Sequence, residues 1–438
     1  MFLCKNIRRT QSKPEKSRFN IRGISFLNNQ NQSFPKLLSP AGDFERLVAA
    51  IRFGADEVYL GGSQFGMRAV SAKFDFPMLK KAVDYAHEHG VRVYLTCNTV
   101  PTNEEADQLP EFLKNARDAG VDAFIIADMG VFAAAREYAP EVEVHMSTQT
   151  GIVNYRTANE LYRMGAKRVV LARELSIDDI RTIREKTPSD LEIEVFVHGA
   201  MCMSFSGRCL LSHYLVDRDA NRGECAQPCR WGYHLVEEKR PGQYFPIFED
   251  EKGSYILNAK DLCLIEYIDQ LAQAGVTSLK IEGRAKSSYY VSVITNAYRI
   301  ALDQYQRDPE HFQLEPWLLD EVCKVSHRRY NTGFLLGRPE DGQYYENGGY
   351  LRNFDVVAIV DRTDGEFAYC TQRNKFLAGD TVEVLEPGKK PFEMVISQIF
   401  DEENQLVDSA CHAMMKFKIP YQGVLQTGTI IRKNKAES

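Results

Sequence analysis

Four of the ten cysteines in this 438-residue chain fall within one short segment. They are Cys202, Cys209, Cys225 and Cys229, separated by six, fifteen and three residues, whereas the other six stand singly. Clustered thiols in a chain that shows no secretion signal indicate metal ligation rather than disulfides. Thiolates bind both structural zinc and iron–sulfur clusters. Because the paired Cys-x-x-Cys spacing usual for zinc is missing, the pattern favours an iron–sulfur cluster, with zinc as the alternative.

Acidic and basic side chains stand on two short β-rich runs of the sequence. Glu194 and His198 lie on the first run, and Lys280 and Glu282 lie on the second. We take these four residues as candidate catalytic groups, because carboxylates, amines and imidazoles are the usual proton donors and acceptors. Glu194 could form an ion pair with Lys280. A single histidine at a strand end more often has a structural role, so His198 is open to both interpretations.

Two arginines are candidates for binding an anionic substrate. Arg173 and Arg284 could clamp a small dicarboxylate, since guanidinium groups match carboxylates with two parallel hydrogen bonds. Lys260 and Asp261 are further candidates for substrate binding. Asp261 could equally be the N-cap of the helix that follows, because aspartate is a preferred residue at that position.

The elements that must position these residues alternate between short strands and amphipathic helices. Glycines follow several of the helical patterns, as is usual where a helix ends before a strand. The strands are predicted at Lys36–Ser39, Glu57–Leu60, Val91–Cys97, Ala123–Ala127, Val142–Met146, Arg168–Leu171, Leu191–Val197 and Ser278–Ile281.

Eight strand–helix units predict an α/β fold, a closed eight-stranded parallel (β/α) barrel over residues 35–306. A doubly wound open sheet is the alternative. Alternation would turn Glu192, Glu194, Phe196 and His198 of strand seven toward the barrel axis, together with Lys280 and Glu282. Barrel interiors are usually apolar. A charged interior therefore predicts a ligand site, with a structural ion-pair network as the alternative.

The cysteine segment follows strand seven and lies in an insertion spanning residues 200–254. Active sites of parallel barrels lie at the carboxyl ends of the strands, so the insertion is expected to cover the polar mouth. Basic and aromatic residues alternate in it, which fits either single-stranded RNA binding or a solvated loop. These residues are Arg208, Tyr214, Arg218, Arg222, Arg230 and Trp231.

The two ends of the chain differ from the barrel. Residues 1–34 carry seven basic residues against one acid. This composition predicts a disordered tail or an upstream start codon, with an RNA-binding arm or a targeting peptide as alternatives. Residues 307–353 form a linker with a helical piece. A change to two-residue alternation then predicts a small β-barrel domain over residues 354–435.

Composition sets limits on the class of protein. The chain is 44% hydrophobic and 26% charged, as expected of a soluble globular protein, and we expect a cytoplasmic location. No apolar run is long enough to span a bilayer. The net charge of −6 argues against general coating of nucleic acid. A local basic patch could still bind RNA.

The cysteine segment resembles the signature of peptidase family U32. The similarity rests on Glu194-x-Phe196-x-x-Gly199-Ala200-x-Cys202 and the following Gly207-x-Cys209-x-x-Ser212. It extends to three further motifs, which are Leu38-Ser-Pro-Ala-Gly42, Asn258-Ala-Lys-Asp261 and Ser278-Leu-Lys-Ile-Glu-Gly-Arg284. Within the family, the length and the C-terminal extension look most like the branch implicated in tRNA 5-hydroxyuridine modification.

The resemblance implies oxygen-independent 5-hydroxylation of the wobble uridine of tRNA. It also implies that the four cysteines hold a 4Fe–4S cluster, that prephenate takes part in the reaction and that the anticodon loop is the RNA partner. The sequence does not indicate whether a protein partner is required.

Two other classes of function remain open. The family name implies a collagenase-like peptidase, but the sequence contains neither H-E-x-x-H nor a G-x-S-x-G elbow. A cluster-bearing scaffold that binds RNA without catalysis is the third class, and another hydroxylation substrate such as ribosomal RNA is a variant of the first.

Overall fold

The computed structural model describes residues 34–66, 74–201, 211–218, 224–228, 249–250, 253–254, 260–337 and 350–435. The expectations for the basic N-terminal segment and for Arg208, Arg222, Arg230 and Trp231 therefore concern positions outside the described residues. Within the described ranges, no helix combines the length and the apolar character needed to cross a membrane.

Strands and helices alternate through the first part of the chain. In order they are β1 (Lys36–Pro40), α1 (Phe44–Arg52), β2 (Glu57–Gly61), α2 (Phe76–Glu88), β3 (Arg92–Cys97), α3 (Asn103–Ala106), α4 (Leu109–Asp118), β4 (Ala123–Ile126), α5 (Met129–Tyr138), β5 (Glu143–Met146), α6 (Tyr155–Met164), β6 (Arg168–Val170), α7 (Ile177–Glu185) and β7 (Glu192–Ala200). Next come α8 (Leu211–Val216), β8 (Glu249–Asp250), β9 (Gly253–Ser254), β10 (Asp261–Cys263), α9 (Ile268–Gln273), β11 (Ser278–Ile281), α10 (Ser288–Arg307), α11 (Pro316–Val322) and β12 (Tyr330–Asn331).

Eight of these strands close into a barrel. Each strand from β1 to β7 pairs in parallel with the next, and β11 pairs with β1 on one side and β7 on the other. The predicted eight-stranded barrel is therefore confirmed, and the open-sheet alternative is wrong. The closed sheet leaves its carboxyl ends together at one mouth, where β3 and β7 lie on opposite sides of the ring.

Local sequence explains why the helices begin and end where they do. The side chains of Asp43 and Asp75 each accept a backbone N–H three residues later, which satisfies an otherwise unpaired donor at the helix start. Gly165 ends α6 with a φ of +107°, in the left-handed region that favours glycine. Apolar residues such as Val58 and Leu60 alternate outward from the strands and pack in the core beneath the helices.

A second domain follows the barrel. It contains β13 (Phe354–Thr363), β14 (Gly365–Gln372), β15 (Phe376–Leu377), β16 (Thr381–Leu385), β17 (Phe392–Val395), β18 (Ile399–Phe400), β19 (Leu406–Val407), β20 (Ser409–Ala410), β21 (Lys416–Gly423) and β22 (Ile430–Asn434). Eight of the strands form an antiparallel sheet in the order β17-β16-β22-β13-β14-β21-β18-β19. The expected small β domain is confirmed, as a half-barrel in which no pairing within residues 350–435 joins the two edge strands.

A buried ionic cluster fixes this domain against the barrel. Arg432 of β22 is fully buried and pairs with Glu321 of α11 at 2.7 Å and with Glu383 of β16 at 2.6 Å. Lys324 follows α11 and donates to Glu383 at 2.7 Å. Leu385 and Ile430 add apolar contacts, since both belong to the barrel core. Such a mixed interface holds the two domains in one orientation.

The barrel interior divides into an apolar half and a charged half. Leu38, Tyr59, Tyr94, Ala123 and Ile125 of β1 to β4 form a small apolar cluster inside the ring. The facing strands β5, β6, β7 and β11 contribute buried polar groups, which are His145, Arg168, Glu194, Ser278 and Lys280.

Arg168 forms the floor of the charged half. Its guanidinium donates to both carboxylate oxygens of Glu57 at 2.8 Å, to Glu192 at 2.7 Å and to Glu194 at 3.0 Å. The side chain of Arg168 is only 2% exposed. Burying a guanidinium is costly unless carboxylates and hydrogen bonds compensate it, and three carboxylates do so here.

The pKa of Glu57 shows which effect prevails at the floor. Burial by itself raises the pKa of this carboxyl, but the hydrogen bonds and positive charge of Arg168 outweigh burial and lower the pKa to about 2. The same interactions raise the pKa of Arg168 against the effect of its own burial. Both groups therefore stay charged in the folded protein.

Replacing Glu57 with glutamine should lower the free energy of unfolding by about 3 kcal/mol near pH 7, because Arg168 loses a buried partner. A carboxyl with a depressed folded-state pKa stabilises the protein above its unfolded pKa and loses that effect as pH falls toward about 2. The difference between wild type and variant should therefore shrink between roughly pH 5 and pH 2, as measured by urea unfolding.

Glu111→Gln is the matched control, because Glu111 is exposed on α4. It should change the unfolding free energy little at any pH. A difference between wild type and Glu57→Gln that stays constant with pH would contradict the assigned ion pair.

Candidate functional site

A second charged layer lies above the floor, toward the mouth. Lys280 donates to Glu194 at 2.7 Å, and the other oxygen of Glu194 accepts from Arg168 at 3.0 Å. The Lys280 ammonium also lies 4.7 Å from the centre of the Tyr59 ring and 5.3 Å from that of Phe196. Glu194 thus connects the floor to Lys280, and the ion pair expected from the sequence is present.

The environment of Glu194 favours a positioning role. Burial raises the pKa of this carboxyl, but Lys280 and Arg168 lower it further than burial raises it. The group is therefore an ionised carboxylate between two cations, which makes it a weak base. Its clearest effect is to hold the Lys280 ammonium in place beneath the mouth.

The mouth itself carries Arg284 and Glu282, from the loop after β11. The Arg284 guanidinium donates to the Thr96 hydroxyl at 2.6 Å, and the Tyr59 hydroxyl donates to Glu282 at 3.1 Å. Arg284 is buried, whereas Glu282 is half-buried. A Cβ added at Gly61 would lie only 2.4 Å from the Arg284 Nη1, so a larger residue at the end of β2 would displace the guanidinium from its present position.

Arg173 lies at the other side of the mouth. It donates to the Ala200 carbonyl at 2.7 Å, and its guanidinium stacks 3.9 Å from the Phe196 ring centre. Arg173 therefore contacts β7, while Arg284 contacts β3, and these strands are opposite in the ring of eight. The side chains of the two arginines thus contact opposite strands of the ring.

Amide and hydroxyl groups line the rim between the arginines. Asn98 donates to the Gln149 side chain at 2.6 Å, and Gln149 donates back to the Asn98 carbonyl at 3.0 Å. The Ser147 hydroxyl also donates to Gln149 at 3.2 Å. Polar side chains that follow β3 and β5 therefore line the mouth, and they offer hydrogen-bonding groups for a ligand.

His198 does not face the barrel axis, contrary to the expectation from alternation. The pairing of β7 with β11 shifts register between Lys280 and Ile281, and this bulge places His198 opposite the outward-facing Ile281. The imidazole is buried among tyrosines, 3.2 Å from the Tyr330 hydroxyl and 3.4 Å from that of Tyr298. The structural interpretation of His198 thus matches its position better than the catalytic one.

Asp261 is not the N-cap of a helix. It lies on β10, which pairs antiparallel with the end of β7, and α9 begins only at Ile268. Its carboxylate accepts from the Arg328 guanidinium at 2.6 Å and 2.9 Å and from the Arg328 backbone at 3.1 Å. Asp261 therefore anchors the segment that carries β12, and the neighbouring Lys260 is buried beside it.

The segment with the four candidate metal ligands follows β7 in the chain. β7 ends at Ala200, and Met201 is the last described residue before Cys202. Cys202, Cys209 and Cys229 lie outside the described residues, and Cys225 is exposed with a free thiol. The Gln227 backbone N–H donates to the Cys225 sulfur at 3.4 Å. Such a bond suits a thiolate ligand, and within the described ranges no group of candidate ligands converges.

Three residues that organise the interior were not predicted from the sequence. Arg168, Glu57 and Tyr59 were not identified as inward-facing, although Glu57 and Tyr59 alternate with the apolar Val58 and Leu60. That alternation was the available signal for β2. Arg328 has no comparable signal, because its partner Asp261 is 67 positions away in the chain.

The fold is that of a parallel α/β-barrel protein with a polar mouth at the carboxyl ends of its strands. Two family models match the chain: peptidase family U32 over residues 42–344 and the peptidase family U32 C-terminal domain over residues 352–432. The chain therefore belongs to peptidase family U32.

Relatives within the family have different names. The chain is 37% identical over 404 residues to tRNA hydroxylation protein P1 of Bacillus subtilis, covering 92% of this chain and 95% of that protein. It is 36% identical over 395 residues to tRNA hydroxylation protein P of Escherichia coli, covering 81% and 86%. It is also 37% identical over 313 residues to a collagenase of Porphyromonas gingivalis, covering 69% and 74%.

The burial of His198 predicts how the stability of the protein depends on pH. Burial is the largest cause that lowers the pKa of His198 well below its usual 6.5. His198 therefore binds a proton in the unfolded chain at a pH where it stays neutral in the folded protein. The free energy of unfolding should consequently fall as pH drops below about 7. His198→Phe should remove this part of the pH dependence and cost about 1–2 kcal/mol at neutral pH through lost hydrogen bonds.

Urea unfolding between roughly pH 5.5 and 7.5 measures both effects. His311→Gln is the control, because the hydrogen bond from exposed His311 to Asp308 raises its pKa, and the sign of its contribution is opposite. An unchanged pH dependence in His198→Phe would show that the pKa of His198 is the same in the folded and unfolded states, which would contradict the effect of burial.

Proposed function

We propose that this protein hydroxylates a base of tRNA. The observation that carries the proposal is full-length similarity to proteins named for tRNA hydroxylation, with 95% of the Bacillus subtilis protein covered. The polar mouth supports it, since a barrel with charged and amide groups at the carboxyl ends of its strands is suited to binding a polar substrate.

In finer detail, the reaction we propose is replacement of C5–H by C5–OH on the wobble uridine. This change oxidises the pyrimidine by two electrons, so an oxygen donor and an electron acceptor are both required. The wobble base lies in an unpaired anticodon loop and can be turned out without breaking a duplex. A mouth at the surface of a barrel could accept such a base directly.

Arg173 and Arg284 are proposed to hold a small dicarboxylate, with prephenate as the candidate implied by the family resemblance. Their side chains contact β7 and β3, which are opposite strands of the ring, and this suits a ligand with two separated carboxylates. Lys280 lies below the mouth and is held by Glu194. Glu282, bound by the Tyr59 hydroxyl at 3.1 Å, is the carboxylate placed to accept or return a proton at the rim.

Cys202, Cys209, Cys225 and Cys229 are proposed to hold a 4Fe–4S cluster, with zinc as the alternative metal. A cluster bound there would supply electron transfer next to the mouth. Two observations support this assignment for Cys225: its side chain is exposed, and its sulfur accepts a backbone N–H at 3.4 Å. The segment that carries these cysteines starts directly after β7, whose carboxyl end lies at the barrel mouth.

Deleting the gene should lower 5-hydroxyuridine and its derivatives in bulk tRNA, measured by nucleoside mass spectrometry. Complementation with Arg284→Gln should restore less than about a tenth of the wild-type level, because a buried guanidinium aimed at the ligand is lost. Arg181→Gln, at an exposed position on α7, is the matched control and should complement fully. Wild-type nucleoside levels in the deletion strain under aerobic and anaerobic growth would refute the proposed function.

Serine substitution at Cys202, Cys209, Cys225 or Cys229 should bleach the visible absorbance of anaerobically purified protein. Cys411→Ser is the control, because Cys411 is also an exposed free thiol but lies in the second domain. Its protein should keep the colour of the wild type. Unchanged colour in all four variants would rule out this ligand set.

Peptide hydrolysis is the second candidate function, favoured by the family name and by the collagenase relative. Nucleophilic hydrolases pair a serine or cysteine with a base. The two histidines on the barrel strands instead contact other groups: His198 meets tyrosine hydroxyls and His145 lies 3.3 Å from Glu143. Gelatin cleavage by the purified protein, together with unchanged tRNA nucleosides in the deletion strain, would favour the peptidase.

A further inference from the structure

A cavity of about 410 Å³ lies at the seam between the barrel and the second domain. Ligand pockets commonly have volumes of roughly 300–1,000 Å³ and occur at such interfaces. The end of α11 contributes one wall, and the beginning of β13 and the end of β22 contribute the other. The lining residues are Asp320, Cys323, Lys324, Arg352, Asn353, Phe354, Asn434 and Lys435.

The lining combines three cations, two amides and one aromatic ring with a single carboxylate. Lys324 already pairs with Glu383 at 2.7 Å, and Lys435 pairs with Asp355 at 3.1 Å. Arg352 is exposed, and among the described residues its side chain bonds only to the Ser326 hydroxyl, at 3.2 Å. The cavity thus offers one guanidinium that carries no ion pair with a described carboxylate.

A continuous path leads from the barrel mouth to this cavity. Lys286 belongs to the loop after β11 that also carries Glu282 and Arg284. Its ammonium donates to the Ser326 carbonyl at 3.2 Å and lies 4.1 Å from the ring centre of Tyr350. Ser326 in turn accepts from Arg352. Ser326 therefore contacts both Lys286, near the mouth, and Arg352, at the cavity.

The chemistry of the path matches single-stranded nucleic acid. Lys286 forms no ion pair with a carboxylate in the described part of the chain, so it and Arg352 can each meet a phosphate. Tyr350 is 37% exposed and can stack a base. Cations that follow a backbone, interleaved with aromatic rings, are the usual features of single-strand binding.

We propose that this path and cavity bind the RNA strand that flanks the nucleotide held in the barrel mouth. Lys286 and Arg352 contact consecutive parts of the phosphate backbone, Tyr350 stacks a neighbouring base, and the cavity accepts a flanking nucleotide beside Phe354. The proposal rests on the proposed function, since it takes RNA as the substrate. It adds a second binding surface, built by both domains, which gives the fixed domain seam a role in recognition.

The test measures binding of a tRNA anticodon stem-loop to the full-length protein by fluorescence anisotropy over a range of salt concentrations. Lys286→Gln/Arg352→Gln should bind roughly tenfold more weakly at moderate salt. The slope of log affinity against log salt should fall by about 1.4, as expected for two single-strand phosphate contacts. Lys114→Gln is the control, because Lys114 is an exposed lysine 5.2 Å from the Tyr138 ring on the opposite, amino-terminal side of the barrel.

A second measurement does not depend on folding of the variants. An RNA carrying 4-thiouridine beside the wobble position should crosslink wild-type protein within residues 350–354. If wild type binds the stem-loop but the double variant has the same affinity and slope, and no crosslink maps to this segment, the inference is overturned and the proposed function stands. Failure of wild type to bind any tRNA would overturn both.

Discussion

The interior of this barrel depends on the burial of one guanidinium. Arg168 takes a position that branched apolar side chains usually fill, and it is tolerated only because Glu57, Glu192 and Glu194 surround it. These carboxylates come from strands β2 and β7, so the ion pairs cross the ring and tie opposite walls together. Glu194 in turn forms an ion pair with Lys280, which lies nearer the mouth. This series of ion pairs, from Glu57 through Arg168 and Glu194 to Lys280, fixes the side chains beneath the polar mouth.

The mouth differs from the floor because the regular pairing of β7 and β11 ends there. The bulge after Lys280 turns His198 out among tyrosines, and β7 continues beyond the barrel to pair with β10. The strand that supplies Glu194 to the interior therefore also supplies the base of the cysteine-bearing segment. A single register shift therefore separates the side chains that face the barrel interior from those that pack outside it.

The second domain is fixed to the barrel by buried ion pairs and apolar contacts. Arg432 is fully buried between Glu321 of the barrel domain and Glu383 of its own domain, so separating the domains would expose or unpair several charges. Leu385 and Ile430 make the seam apolar as well as ionic. A fixed seam allows a surface such as the one from Lys286 to Arg352 to keep a constant position relative to the mouth.

The amino-acid sequence by itself determined the barrel, the second β domain and the inward direction of Glu194 and Lys280, because these depend on local alternation and on the number of strand–helix units. Tertiary structure alone decided the outcomes for His198 and Asp261. A one-residue register shift, invisible in the sequence of β7, reverses the direction of a side chain. The partner of Asp261 is distant in the chain, and so is Glu57, 111 positions from Arg168. Only closure of the barrel brings such charges within reach of one another.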